Sequence, residues 1–325
     1  MLQVGIIGGA GYTAGELIRL LLVHPKAEIN FVYSTSSAGK KLSAIHQDLV
    51  GNTDHCFTDV INTKVDVLFL CLGHGNSKVF LEQHSFSSTT KIIDLSNDFR
   101  LTQDSVFQNK PFVYGLPELN KTAIQSAKYI ANPGCFATAI QLAILPLAAN
   151  DLVQDAIHVN AVTGATGAGT ALSPTTHFTW RVDNFSHYKA FNHQHLGEIH
   201  QSVDGLQTDL KSVIHFIPNR GNFSRGIFAT LYTKYEGTLE TAKALFKTYY
   251  KDAQFTIVSD EVIHLKQVVN TNKCLLHLEV HDGKLLITSA IDNLLKGASG
   301  QAVHNMNLMF GLEAHLGLQL KANYF

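Results

Sequence analysis

The opening run LQVGIIGGAGYTAGELIRLLLVHP restricts the fold more than any other stretch of the chain. Leu2 to Ile7 reads as a short apolar strand, and Gly8, Gly9, Gly11 and Gly15 follow it closely. ELIRLLLVHP then carries helical apolar spacing up to Pro25, where a helix stops. A strand, a glycine turn and a helix in that order bring backbone N–H groups to a helix N-terminus, where the dipole favours a pyrophosphate. A glycine motif alone is weak; its placement directly between strand and helix strengthens it.

The next strand, EINFVYS, runs into TSSAGKKL, where an NAD-binding module usually carries an acid for the ribose 2'-hydroxyl. No acid is present. Ser34, Thr35, Ser36 and Ser37 offer hydroxyls, with Lys40 and Lys41 behind them, a composition suited to the 2'-phosphate of NADP. Two further near-continuous apolar runs, VDVLFLCLG (Val65 to Gly73) and KIIDLS (Lys91 to Ser96), predict strands of a parallel sheet buried on both faces. Cys71 falls inside the first of these and reads as a packed core thiol. The loop GHGNS, with Gly73 and His74, leaves the carboxyl end of its strand, where open sheets of this kind bind ligands.

A chain of 325 residues suits two domains. A formal net charge of -1 argues against a duplex nucleic-acid binder, which needs a basic face. No apolar run reaches 18 residues and the N-terminus lacks the marks of a signal peptide, so a cytoplasmic protein with no membrane partner is expected. The four cysteines, Cys56, Cys71, Cys135 and Cys274, are too scattered for a disulfide framework or a thiolate zinc site.

KYIANPGCFATAIQLAILPLAAN predicts a short strand, an Asn132-Pro-Gly turn and a helix beginning at Cys135. A thiol in the first turn of a helix meets the positive end of the dipole and free N–H groups, which favour a thiolate and can hold an oxyanion. Locally, Cys135 is equally compatible with a buried small hydrophobe. A nucleophile needs a base, and NHQHLGEIH supplies His193, His195 and His200 with Glu198; His193 and His195 would share one face of an extended segment. A zinc site built on His-x-His is the rival, with too few other ligands in view. Arg100, after a strand in DLSNDFR, offers a fork for a carboxylate or phosphate. VTGATGAGT, which contains Gly167, is a second glycine-rich loop able to wrap an anion or simply to cross over.

Taken in order, these motifs resemble those of the N-acetyl-gamma-glutamyl-phosphate reductase family, with a more distant similarity to aspartate-semialdehyde dehydrogenase. GGAGYTAGEL is similar to the family's GGxGYTGxEL, SSAGKKL to its NADP loop, LSNDFR to LSADFR, and YGLPELN to YGLPE. NPGCFAT is similar to NPGCYPT, NHQHLGEI to HRHxPEI, and NLLKGASGQAVHNMN to NLxKGAxGQAxQNMN. Phe136 and Ala137 replace the usual Tyr-Pro, and Thr170 replaces the usual Arg or Lys. HFIPNRGNFSRGI is longer than the usual HxxPMxRGI, which leaves substrate contacts near Thr170, Arg220 and Arg225 open.

The resemblance implies an α/β fold: a Rossmann-like dinucleotide-binding domain (residues 1–134 and 296–325) and an inserted α+β catalytic and oligomerisation domain (135–295) with a mainly antiparallel sheet. HLEVHDGKLLITSAI independently predicts a hairpin turning at Asp282-Gly283. Implied NADP contacts are Gly8, Gly11, Tyr12, Thr13, Ser34, Ser36, Ser37, Lys40, Gly73, His74, Gly167 and Asn293. Implied substrate contacts are Arg100, Asn132 and Glu198. Cys135 becomes the implied nucleophile, forming a thioester from an acyl phosphate with release of phosphate. His193 or His195 is the acid/base, the first favoured by its place in the motif, and no metal is implied. A homodimer or homotetramer is expected. An N-acetyl and an N-succinyl substrate are not distinguished. A redox-free thiol acyltransferase would leave the NADP module without a purpose, and an NADP sensor would leave the Cys-His pair without one.

Overall fold

The apolar run Leu2–Ile7 forms strand β1 in a computed structural model that describes residues 1–208 and 213–325. Helix α1 (Tyr12–Leu22) turns Ala14, Leu17, Ile18, Leu20 and Leu21 inward. It is followed by β2 (Ala27–Tyr33), β3 (Phe57–Thr58), β4 (Val67–Leu70), α2 (Asn76–Gln83) and β5 (Lys91–Asp94). Next come β6 (Val106–Phe107), β7 (Lys110–Tyr114), α3 (Pro117–Ser126) and β8 (Tyr129–Ala131). Among the described residues these strands make one sheet in the order β3-β2-β1-β4-β5-β8-β7-β6, parallel except for the β6–β7 pair. Strand order reverses between β1 and β4, the switch point at which such sheets bind ligands outside the strands' carboxyl ends.

From Gly134 the chain builds a second unit. It begins with α4 (Cys135–Ala148), whose side chains after Cys135 are buried on every side, so it is a central helix rather than a surface one. Around it run β9 (Ile157–Thr163), α5 (Phe178–Arg181), β10 (Ser186–His187), α6 (His195–Asp204) and β11 (Ile214–Arg220). They are followed by β12 (Ile227–Lys234), α7 (Leu239–Tyr249), β13 (Thr256–Ser259), β14 (Cys274–His281) and β15 (Lys284–Ile291). The strands order as β10-β11-β9-β12-β15-β14-β13. Among the described residues the β11–β9 and β13–β14 pairs are parallel and the others antiparallel, so the sheet is mixed, with antiparallel pairing in the majority. The expected hairpin is present: Asp282 (φ 45) and Gly283 (φ 72) both adopt positive φ, as a two-residue type I' turn requires.

The chain then contributes α8 (Gly300–Met309) to the first unit. By contact the units are residues 1–133 with 298–319, and 134–297 with 320–325. The last six residues, expected with the first domain, therefore cluster with the second, where Asn323 N donates to Val269 O and Tyr324 packs on His264.

One buried charge holds the second unit's β15 exit together. Asp292 is fully buried and accepts from Arg225 Nε (3.1 Å), Asn270 N (2.7 Å), Leu294 N (2.8 Å) and Leu295 N (3.1 Å). Asp292→Ala removes the acceptor of Arg225 Nε and of three backbone N–H groups. A loss on the order of 3 kcal/mol is expected, read as a lower urea midpoint; an unchanged midpoint would remove Asp292 from the stabilising network.

Candidate active site

Cys135 is the first residue of α4, with Gly134 in extended conformation (φ -73, ψ 152) at the N-cap and no side chain capping the helix. It is half-buried. The N–H groups of the first turn are orphans of the helix ladder, so the thiol sits where negative charge on sulfur, or on a carbonyl oxygen under attack, is favoured. Gly134 has to be glycine because of its neighbour: a Cβ there would run into the His195 ring at Nε2. On the other side, a Cβ at Gly297 would lie 2.7 Å from Cys135 Cβ, so two glycines clear the approach to this residue.

The His-x-His pair is not an extended segment. His195 is the first residue of α6, Gln194 is already helical (φ -57, ψ -26), and His193 stands just before the helix. The two rings meet edge-on with centroids 4.7 Å apart. Glu198, one turn into α6, accepts the Gly134 N–H through Oε2 (2.9 Å) and places Oε1 3.9 Å from His195 Nε2. It therefore fastens α6 to the start of α4 and faces the imidazole with a carboxylate. Glu198 is 3 % exposed.

The two imidazoles stand in different environments. His193 Nδ1 accepts the backbone N–H of His195 (3.2 Å), which leaves the ring hydrogen on Nε2. Burial first, then the neighbouring His195 and Lys189, push His193 down to about 3. It is a neutral ring throughout the physiological range. His195 lies against Gly134, the residue before Cys135, and faces Glu198.

Tyr188 and Arg181 were not singled out by sequence, and Arg220 was named only as lying where substrate contacts were left open. The Tyr188 ring stands edge-on to His193 at 5.7 Å, and burial, then the charge of Cys135, push its hydroxyl above its ordinary range. Arg220 lies over the Tyr188 ring with Cζ 4.0 Å from the centroid. Phe136, the departure beside the thiol, packs edge-on against both His193 (5.5 Å) and Phe216 (5.2 Å). It fills the back of the histidine corner.

The glycine loop at Gly167 is a 3-10 turn (Ala165–Ala168) with Gly167 exposed. Asn293, expected at the cofactor, is 2 % exposed; its Oδ1 accepts the Gly226 N–H (2.7 Å) and its Nδ2 donates to Thr166 Oγ1 (3.1 Å). It ties two loops together.

In the first unit, Gly8 takes φ 79, and a Cβ would lie 2.6 Å from Cys71 O, so only glycine fits. Gly11 is the uncapped N-cap of α1, and a Cβ there would meet nothing within 4 Å; Tyr12 and Thr13 follow in the first turn. Open space over a helix N-terminus fits a pyrophosphate. Ser34 and Ser37 are buried, Ser36 Oγ lies 3.4 Å from Ser34 Oγ, and the Lys40 side chain is exposed, whereas Lys41 pairs with Asp54 (2.7 Å). Gly73 and His74 are exposed beyond β4, and His74 Nδ1 accepts the Asn97 N–H (3.1 Å).

The Cys71 thiol is buried, as expected, but just past its strand. β4 ends at Leu70, so the residue lies at the strand's carboxyl edge, half-buried as a whole, and burial pushes its thiol above the ordinary thiol range. Asn132 is 1 % exposed; its Nδ2 donates to Ala298 O (3.0 Å) and its Oδ1 accepts from Asn305 Nδ2 (3.1 Å). Arg100 is 6 % exposed and donates to Leu95 O (2.9 Å). Among the described residues no group of three or more His, Cys, Asp or Glu could hold a metal ion, and no helix is long and apolar enough to cross a membrane.

Comparison with known proteins covers both units. Residues 3–127 match the family described as semialdehyde dehydrogenase, NAD binding domain, and residues 135–293 the semialdehyde dehydrogenase, dimerisation domain. The chain is 66% identical, over the whole of both sequences, to the N-acetyl-gamma-glutamyl-phosphate reductase of Christiangramia forsetii. It is 60% identical, again over the whole of both, to that of Flavobacterium johnsoniae. Among solved structures it is similar to aspartate semialdehyde dehydrogenase with NADP from Candida albicans, with a TM-score of 0.69 and 14% identity, covering 95% of this chain and 98% of that one. At that identity the likeness speaks for the fold.

Proposed function

The chain belongs to the semialdehyde dehydrogenase family, among the N-acetyl-gamma-glutamyl-phosphate reductases, and from that premise we propose that it reduces N-acetyl-gamma-glutamyl phosphate to N-acetylglutamate semialdehyde, with NADPH, in arginine biosynthesis. The observation that carries the mechanism is a half-buried thiol at the uncapped start of a buried helix, with His195 Nε2 against the preceding glycine and Glu198 facing the same nitrogen.

The Cys135 sulfur attacks the acyl carbonyl, the carbonyl–O–phosphate bond breaks, and phosphate leaves with the electron pair; a thioester remains. Orphan N–H groups of the first turn of α4 stabilise the oxyanion at that step and again at the hemithioacetal. When bound, NADPH supplies the hydride that reduces the thioester carbon. His195 gives a proton to the hemithioacetal oxygen and takes it back as the C–S bond breaks, releasing aldehyde and thiolate. Glu198 holds His195 in place for both transfers. His193, neutral, offers its Nε2 hydrogen to an oxygen in the same corner.

Gly8, Gly11, Tyr12, Thr13, Gly73 and His74 would hold the dinucleotide in the first unit, with Ser34, Ser36, Ser37 and Lys40 at its 2'-phosphate. Lys40→Ala should raise KM for NADP by about tenfold while leaving that for NAD unchanged; equal effects on both would remove Lys40 from the phosphate. The protein acts in the cytoplasm as a homodimer or homotetramer, a state supported by its dimerisation domain.

The activity is tested in reverse. Purified protein given N-acetylglutamate semialdehyde, NADP and inorganic phosphate should produce NADPH, read by absorbance. No NADPH above a Cys135→Ala control, with either the N-acetyl or the N-succinyl semialdehyde, would overturn the assignment, and the faster of the two identifies the acyl group.

A further inference from the structure

Two arginines from separate elements converge on one corner of the second unit. Arg181 ends α5 and donates through an Nη to Thr163 O (3.4 Å), a long and weak bond. Thr163 is the residue paired with Arg220 across the parallel β9–β11 register, so both guanidiniums lie at the same end of the sheet. Arg220 covers the Tyr188 ring, and Tyr188 stands against His193.

Among the described residues neither arginine pairs with a carboxylate in this corner. Arg181 Nε is shielded from solvent and meets no hydrogen-bond acceptor. A buried guanidinium N–H without an acceptor is costly, and a second like charge beside it adds repulsion. Burial and then Arg220 hold Arg181 below the ordinary arginine range. Both conditions are relieved by one ligand, an anion with several acceptor oxygens.

We propose that Arg181 and Arg220, backed by Tyr188, form an oxyanion-binding subsite next to the Cys135 and His193 corner, taking a carboxylate or phosphate group of the reacting molecule. This rests on the reductase assignment for the identity of the molecule, though not for the binding of an anion. The two sources share one chemistry, a multidentate oxyanion held by two forks.

Full-length Arg181→Met, Arg220→Met and Arg220→Lys are compared with the unaltered protein. In the reverse assay, each Met variant should raise one KM by roughly tenfold or more while kcat changes less. A rise confined to inorganic phosphate assigns the phosphate, and a rise confined to the semialdehyde assigns a carboxylate. Arg220→Lys should recover part of the loss, which a purely packing role over Tyr188 would not require. Independently of turnover, thermal melts with inorganic phosphate and with N-acetylglutamate should show stabilisation by at least one of them in the unaltered protein, lost in both Met variants. Unchanged KM values with unchanged ligand stabilisation would overturn the subsite and leave the reductase intact. Arginine-dependent stabilisation in a protein inactive on the semialdehyde would sustain the subsite and overturn the reductase.

Discussion

Cys135→Ala is expected to lower NADPH formation from N-acetylglutamate semialdehyde, NADP and phosphate by on the order of 10^4-fold or more, since removal of an attacking group collapses the whole covalent route. The change deletes one half-buried sulfur at the first residue of α4 and leaves the helix's buried face untouched. The melting temperature should therefore stay within a few degrees, about what a loss of ~1 kcal/mol produces. The same variant separates chemistry from binding. With acyl phosphate and no reductant, the unaltered protein should gain the mass of one acyl group, and the variant should gain none. Residual turnover within about tenfold of the unaltered rate, or acylation of the variant, would end the thioester mechanism.

His195→Asn is expected to lower kcat by roughly 10^2- to 10^4-fold, the range for loss of a positioned acid/base, and His193→Asn by about tenfold. The pH dependence bears on His193. His193 is held at about 3 against an ordinary 6.5, so it is neutral on both sides of pH 6 and cannot produce a limb of the rate profile there. Any limb in kcat between about pH 5 and 8 should therefore persist in His193→Asn. The linkage has a definite sign. The unfolded chain binds a proton near pH 6.5 that the native ring refuses until about pH 3, so this residue's contribution to stability falls as pH drops through that window. His193→Asn should flatten that part of the urea midpoint against pH. Loss of the limb on replacing His193 alone would exchange the roles.

What was legible in the sequence was whatever depends on neighbours along the chain. The β1 run, its glycines and α1 share one short segment, and the steric demand at Gly8 is a local demand that glycine announces. Asp282-Gly283 likewise declares its turn through backbone preferences of two residues. Cys135 could be put at a helix start because Pro133-Gly134 precedes a long apolar run. The His-x-His segment was harder. Extended and helical backbones place residues two apart differently, and the tertiary contact of Glu198 with Gly134 is part of what decides for the helix.

The motifs also named positions without naming directions. Asn132 and Asn293 carry the residue types of ligand contacts, and their amides also cross-link to Ala298, Asn305, Gly226 and Thr166. A side chain's partner depends on which distant segment folds over it, and hydrogen-bonding capacity alone does not tell internal cross-links from ligand contacts.

By itself, then, the sequence determined the two-part α/β architecture, the glycine turn and the thiol at the head of α4, because periodicity, turn chemistry and capping act over a few residues. The tertiary structure alone decided that His193 is neutral, that His195 faces Glu198 and Gly134, and that Arg181 and Arg220 meet beside Tyr188. Those outcomes come from desolvation and from charges brought together across the fold, and neither is a property of any short stretch of chain.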